Sequence, residues 1–301
     1  MSTFSITAIA RHPPAVVLRT DASAKDSIRQ MDQKSVRHAL VSDDGRRMDG
    51  ILSAKDLLNY LGGGEKFDLV QSSFGGDIGR ALDSSIAPLF NRSPIVGRVD
   101  ASLPDLMVLM SKHDIGVLPL LDKDDAIWGV LSERHLFKLF EENEMFVRVF
   151  EIMSKPLITL DAKATLLDAM HTMIKNDIRR IPIMSEGRLW GIVTVKDVIK
   201  FLASPYVEGI LGKGLSDYLF NTNISKIATP NPQTASPDDD LSDAVRKMNA
   251  HNVGSLIIIA NDRPVGILTE RDFLLKLPRL RGVEFITDVS RNRVLVGRIH
   301  F

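Results

Sequence analysis

Four times along this chain the same seven-residue motif appears: Gly, two aliphatic residues, Ser or Thr, a variable residue, Lys or Arg, then Asp or His. It reads Gly50-Ile51-Leu52-Ser53-Ala54-Lys55-Asp56, Gly129-Val130-Leu131-Ser132-Glu133-Arg134-His135, Gly191-Ile192-Val193-Thr194-Val195-Lys196-Asp197 and Gly266-Ile267-Leu268-Thr269-Glu270-Arg271-Asp272. A methionine (Met31, Met110, Met173, Met248) lies 18 or 19 residues before each motif glycine. Self-similarity at this scale makes each copy one supersecondary unit, and no other feature restricts the fold as strongly.

The residues before each methionine share a helical stripe. Ala24, Ser27, Ile28 and Met31 stand at i, i+3, i+4 and i+7, as do Leu103, Leu106, Met107 and Met110, then Leu166, Ala169, Met170 and Met173, and finally Leu241, Ala244, Val245 and Met248. Short apolar runs follow at 39–41, 117–121, 181–184 and 256–260 and read as buried strands. A turn rich in Asp, Gly, Ser or Asn then separates each run from the Gly-aliphatic-aliphatic strand, so the two strands read as a hairpin. The motif Ser or Thr stops that strand and starts a second amphipathic helix. Each repeat is therefore predicted as leading strand, helix, strand, strand, helix, an α+β unit.

The motif glycines are 79, 62 and 75 residues apart, so inserts separate some copies. The expected boundaries are repeat 1 at 1–62, a linker insert at 63–88, repeat 2 at 89–145, repeat 3 at 146–203, a second linker insert at 204–221 and repeat 4 at 222–278. Residues 279–301 form a tail whose stretches 283–289 and 294–299 read as a β-hairpin. The long inserts fall inside repeats 1–2 and 3–4, which places the expected pair boundary near residue 146.

Charge and composition narrow the class of function. With 38 basic and 38 acidic side chains there is no net field to hold a polyanion, so nucleic acid and acidic membranes are not expected partners. The absence of cysteine excludes a disulfide framework and thiolate chemistry. No signal peptide and no apolar run near the roughly 20 residues of a membrane span are evident, so a soluble cytoplasmic protein is expected. The seven histidines show no metal-ligand spacing, and no nucleophile or acid–base pair emerges; an enzyme is not expected.

This repeat, with its helix ending in Met and its closing Gly-aliphatic-aliphatic-Ser/Thr-x-Lys/Arg-Asp, resembles the cystathionine β-synthase (CBS) domain family over residues 5–277. Four copies look like two tandem pairs, similar to the gamma subunit of AMP-activated protein kinase and its archaeal relatives. The resemblance implies a disc of two pairs formed within one chain, a non-catalytic regulatory role in energy sensing through an unidentified protein partner, and AMP, ADP or ATP as ligand. S-adenosylmethionine is the alternative ligand. An interaction or nucleic-acid-binding module with empty clefts, using the arginine-rich tail, is the other alternative.

Two constellations carry the expectation. Ser53-x-x-Asp56, Thr194-x-x-Asp197 and Thr269-x-x-Asp272 are capping boxes in any protein. A carboxylate at a helix N-terminus can also accept hydrogen bonds from a ribose diol, and the adjacent Lys55, Arg134, Lys196 or Arg271 favours a phosphate. A cap does not need that base, and the family resemblance implies that the Asp holds the ribose while Ser53, Thr194 or Thr269 contacts the ligand. Repeat 2 departs: His135 replaces the acid and cannot act as a fixed anionic acceptor. The second constellation is the base pair before the first hairpin strand of the odd repeats, Arg37-His38 and Arg179-Arg180, where the even repeats carry Gly116 and Gly254. Solvated bases need no explanation in themselves, but the gamma-subunit resemblance implies that these reach phosphates.

Overall fold

Each repeat folds as its periodicity dictates. In the computed structural model, which describes residues 5–140 and 145–282, repeat 1 runs Val17–Leu18, helix Ala24–Gln33, strands His38–Val41 and Gly50–Ser53, and helix Ala54–Leu61. Repeat 2 runs Gly97–Arg98, helix Leu103–Lys112, strands Val117–Leu121 and Ile127–Ser132, and helix Glu133–Phe137. Repeat 3 runs Leu160–Asp161, helix Leu166–Lys175, strands Arg180–Ser185 and Arg188–Thr194, and helix Val195–Leu202. Repeat 4 runs Thr234–Ala235, helix Leu241–Ala250, strands Ser255–Ala260 and Arg263–Thr269, and helix Glu270–Leu275. The tail hairpin expected at 283–299 lies outside the described residues.

Register is the same in all four copies. The leading strand pairs parallel to the first hairpin strand, which requires a crossover, and the methionine helix supplies it. The hairpin then pairs His38 with Ser53, Val117 with Ser132, Arg180 with Thr194, and Ser255 with Thr269. The motif hydroxyl therefore always sits opposite the first residue of the hairpin.

The motif glycine has a steric reason. The chain segment that leads into one repeat lies across the glycine of its tandem neighbour: Arg11 bridges Val130, Asn91 bridges Ile51, Ser154 bridges Ile267, and Thr229–Pro230 pairs with Gly191 and Ile192. A Cβ at Gly50 would stand 2.3 Å from the Asn91 carbonyl oxygen, and one at Gly129 would stand 2.2 Å from that of Arg11. A Cβ at Gly191 or Gly266 would stand 2.9 or 3.0 Å from the Thr229 or Ser154 carbonyl oxygen. Only a residue without a side chain lets the two backbones approach so closely. Repeats 1 and 2, and repeats 3 and 4, thus exchange their leaders.

The cores are drawn differently. Contacts divide the described chain into two compact units, one holding residues 14–94 and 158–231, the other holding the described residues before 14, 95–157 and those from 232 onward. Repeats 1 and 3 share one core, in which Ile28, Met31 and Leu57 join Met170, Val198 and Ile199. Repeats 2 and 4 share the other, in which Met110, Leu131 and Phe137 join Met248, Leu268 and Phe273. The division expected near residue 146 is not where the packing divides. Insert length measures chain between repeats, whereas the cores are closed by the apolar faces of helices from alternate repeats.

The inserts, expected as linkers, are largely helical. Phe67–Phe74 and Ile78–Asp83 bury Val70, Ile78, Ala81 and Leu82 in the core of repeats 1 and 3, and Pro205–Leu211 and Ser216–Phe220 add Val207, Ile210 and Leu219. Among the described residues no helix is long and apolar enough to cross a membrane.

Candidate functional site

At each strand-to-helix junction the sequence installs a cap. Ser53 Oγ accepts from the Asp56 backbone N–H, and Asp56 Oδ2 accepts in return from the Ser53 N–H (2.9 Å) and hydroxyl (2.6 Å). Asp197 Oδ2 holds the Thr194 N–H (2.8 Å) and hydroxyl (2.7 Å), and Asp272 Oδ2 holds those of Thr269, both at 2.7 Å. The hydroxyl protons of Ser53, Thr194 and Thr269 are thus donated to their own aspartates. Toward a ligand these side chains can only accept.

The carboxylates differ at their second oxygen. Asp56 Oδ1 accepts from Lys66 Nζ at 2.7 Å. Asp272, which is 4% exposed, accepts through Oδ1 from Ser154 Oγ at 2.8 Å and Lys276 Nζ at 2.7 Å. Asp197 is half-buried, and its Oδ1 has no hydrogen bond or ion pair among the described residues. A carboxylate whose orientation is fixed through one oxygen while the other faces outward is a preorganised acceptor for two hydroxyl donors.

The motif bases reach sideways into the neighbouring repeat of their own unit. Lys55 pairs with Asp177 at 2.6 Å. Arg134 bonds Glu270 at 2.7 Å, Asn252 Oδ1 at 2.8 Å and the Val253 carbonyl. Arg271 reciprocates with Glu133 at 3.2 Å and with Asp114 through both its side chain and its carbonyl. Lys196 is exposed on the first turn of its helix. Lys55, Arg134 and Arg271, read from sequence as phosphate ligands, are therefore engaged in ties between repeats. Glu133 and Glu270 were missed. Their signal is a parity in the motif, Glu-Arg in the even copies against Ala-Lys and Val-Lys in the odd ones.

The odd-repeat bases stand at the junction itself. Arg37 and Arg179 are half-buried, and their carbonyls accept from the Ala54 and Val195 N–H groups, as Gly116 and Gly254 accept from Glu133 and Glu270. His38 and Arg180 open the hairpin strands opposite Ser53 and Thr194. In repeat 3 the fold thus gathers Arg179, Arg180, Thr194 and Asp197 at one junction.

In repeat 2 the Ser132 hydroxyl accepts from the His135 N–H at 3.4 Å, and no acid returns the bond. The His135 Nδ1 is buried without a hydrogen-bond partner. Burial, then the positive charges of Arg11 and Lys138, hold its pKa below the ordinary 6.5, against weaker opposing effects from the Val130 carbonyl and Glu270. The ring is neutral in the folded chain at neutral pH. Between the lowered folded value and the ordinary value, the unfolded chain binds the proton more readily, so stability falls as pH falls through that window. Denaturant midpoints at pH 7.5 and 5.5 should show His135→Asn losing less stability on acidification than the unmodified chain. One such group contributes at most about 1.4 kcal/mol per pH unit; identical acid losses would remove His135 as the cause.

Comparison with known proteins agrees with this construction. The CBS domain family model matches residues 6–63, 86–142, 149–204 and 224–279. An uncharacterized 33.4 kDa protein in a ribosomal RNA operon of Thermofilum pendens is 32% identical over 293 residues, covering 97% of this chain and 98% of the relative. Protein MJ1225 of Methanocaldococcus jannaschii is 24% identical over 272 residues, covering 88% of this chain and 96% of its own. Its crystal structure, put forward as that of an archaeal homolog of g-AMPK, superposes with a TM-score of 0.83 over 90% of this chain and 98% of that one, at 22% identity. With the model matched in all four repeats and a relative aligned almost end to end, the chain belongs to the CBS domain family and carries four copies of the domain.

Proposed function

We propose that this chain is a non-catalytic adenine-nucleotide sensor that binds AMP, ADP or ATP and reports it to a protein partner. The observation that carries the reading is the repeat 3 junction, where Asp197 offers an oxygen outside its cap and Arg179 and Arg180 flank it. A vicinal diol donates two hydrogen bonds, and a carboxylate accepts them without needing a proton of its own. Arginine complements a phosphate through its fork of donors, and it gains little from the sulfonium cation of S-adenosylmethionine. Family membership supports the same class of ligand.

Calorimetry with AMP, 2′-deoxy-AMP and adenosine tests the reading. A charge-assisted hydrogen bond contributes roughly 1.5–3 kcal/mol, so removal of the 2′-hydroxyl is expected to weaken binding about tenfold or more. Asp197→Asn should impose a similar penalty on AMP, and adenosine should bind more weakly than AMP by the loss of the anion. Equal affinities for AMP and its deoxy form would end the diol assignment.

A further inference from the structure

The lysines at Asp56 and Asp272 stand in the same place but come from different positions in the sequence. Lys66 follows Asp56 by ten residues, from the insert after repeat 1, whereas Lys276 follows Asp272 by four, from the cap that ends the helix. Each ammonium bridges the second carboxylate oxygen to a backbone carbonyl just ahead of the residue that crosses the motif strand. Lys66 Nζ donates to Asp56 and to the Leu89 carbonyl, two residues before Asn91. Lys276 Nζ donates to Asp272, to the Ile152 carbonyl at 3.0 Å and to Ser154 Oγ at 2.8 Å. Two unrelated segments thus deliver a cation to equivalent acceptors. In repeat 3 the residue four beyond Asp197 is Phe201, which has no charge to deliver.

From this we propose that Lys66 is an internal counter-ion that competes with a nucleotide for Asp56, leaving repeat 3 as the high-affinity site. This rests on the nucleotide reading above and adds an order of occupancy to it. The two locks differ in strength. Asp272 is 4% exposed and has three donors besides its own cap backbone, counting the Thr269 hydroxyl, Ser154 and Lys276, so it stays closed. The Lys66 and Asp56 side chains are 29% and 22% exposed and meet through one ion pair, which water and an incoming diol can reach. A second nucleotide therefore enters at repeat 1 only by displacing Lys66 into solvent.

Titration of the full chain with AMP by calorimetry tests this, with Lys66→Met and Asp197→Asn as variants. The unmodified chain is expected to bind one AMP tightly, with any second binding at least tenfold weaker. Lys66→Met should strengthen the second event by tenfold or more, and Asp197→Asn should remove the tight one. Acetylation of lysines read by mass spectrometry, on the unmodified chain, provides a measure that does not depend on a variant folding. Lys66 should stay protected while the first AMP binds and become reactive only as the second does. Two equally tight sites in the unmodified chain, or a second AMP bound with Lys66 still protected, would overturn the lock and leave the nucleotide reading standing. No AMP binding by any form would overturn both.

Discussion

Replacement of Arg134 by alanine is expected to destabilise the unit of repeats 2 and 4 by about 3 kcal/mol or more. The partner left behind is Glu270, 4% exposed, whose carboxylate has given up its hydration for one bond from Arg134 at 2.7 Å. An unpaired carboxylate in such a place must either remain charged without solvent or take up a proton. Both routes cost free energy, and alanine supplies neither a donor nor water. The guanidinium is itself a quarter exposed, which places the effect at the lower end of the range for buried pairs. Arg134→Met combined with Glu270→Leu should recover most of the loss, because removing both charges also removes the cost of desolvating them. Urea unfolding reports this cleanly in a Trp190→Phe background. The two tryptophans of the chain fall one in each unit, and Trp128, stacked on His12 at 4.6 Å, then reads repeats 2 and 4 alone. A single-variant loss below about 1 kcal/mol would mean that the pair behaves as a surface ion pair.

An effect of comparable size is expected from Phe273→Ala, at about 3–5 kcal/mol. Phe273 is fully buried and meets Phe137 edge to face at 5.0 Å and Phe140 at 5.9 Å. Truncation removes the transfer free energy of the ring and leaves a cavity that two rigid aromatic neighbours, Phe137 at the end of the second helix of repeat 2 and Phe140 in the turn after it, cannot fill. The same Trp128 signal should move to lower urea. Phe273→Leu, which keeps most of the volume, should lose about half as much or less. Equal losses for the two variants would indicate that ring-to-ring geometry, not volume, carries the stability.

Much of this was readable from residue spacing. Ala24, Ile28 and Met31, and their counterparts in the other repeats, point inward as the 3.6 period requires, and the hairpins begin and end within a residue or two of expectation. Capping boxes form wherever the motif keeps its acid, and His135 departs as its chemistry demands. Periodicity says which face is buried but not which other face buries it, so the joint core of Ile28 and Val198 could not be seen in the chain. The insert helices carried their own signal, Phe67, Val70 and Phe74 at i, i+3 and i+7, which the glycines around them obscured. Lys66 and Lys276 were invisible for a stricter reason: aligning the repeats places them at different offsets, and only folding brings each to its aspartate.

The interleaving of the cores sets a timetable for biosynthesis. The helices Ala24–Gln33 and Ala54–Leu61 leave the ribosome with apolar faces whose shared core also needs Val195–Leu202, and 141 residues (202 − 61) separate the two ends. At 5–20 residues per second, the half-built core waits roughly 7 to 28 seconds for its other wall. Before that wall is finished, translation has already released repeat 2, whose own core awaits helix Glu270–Leu275. Neither unit can close before repeat 3 is made, so the nascent chain matures late: the core of repeats 1 and 3 closes first, and that of repeats 2 and 4 follows only with helix Glu270–Leu275.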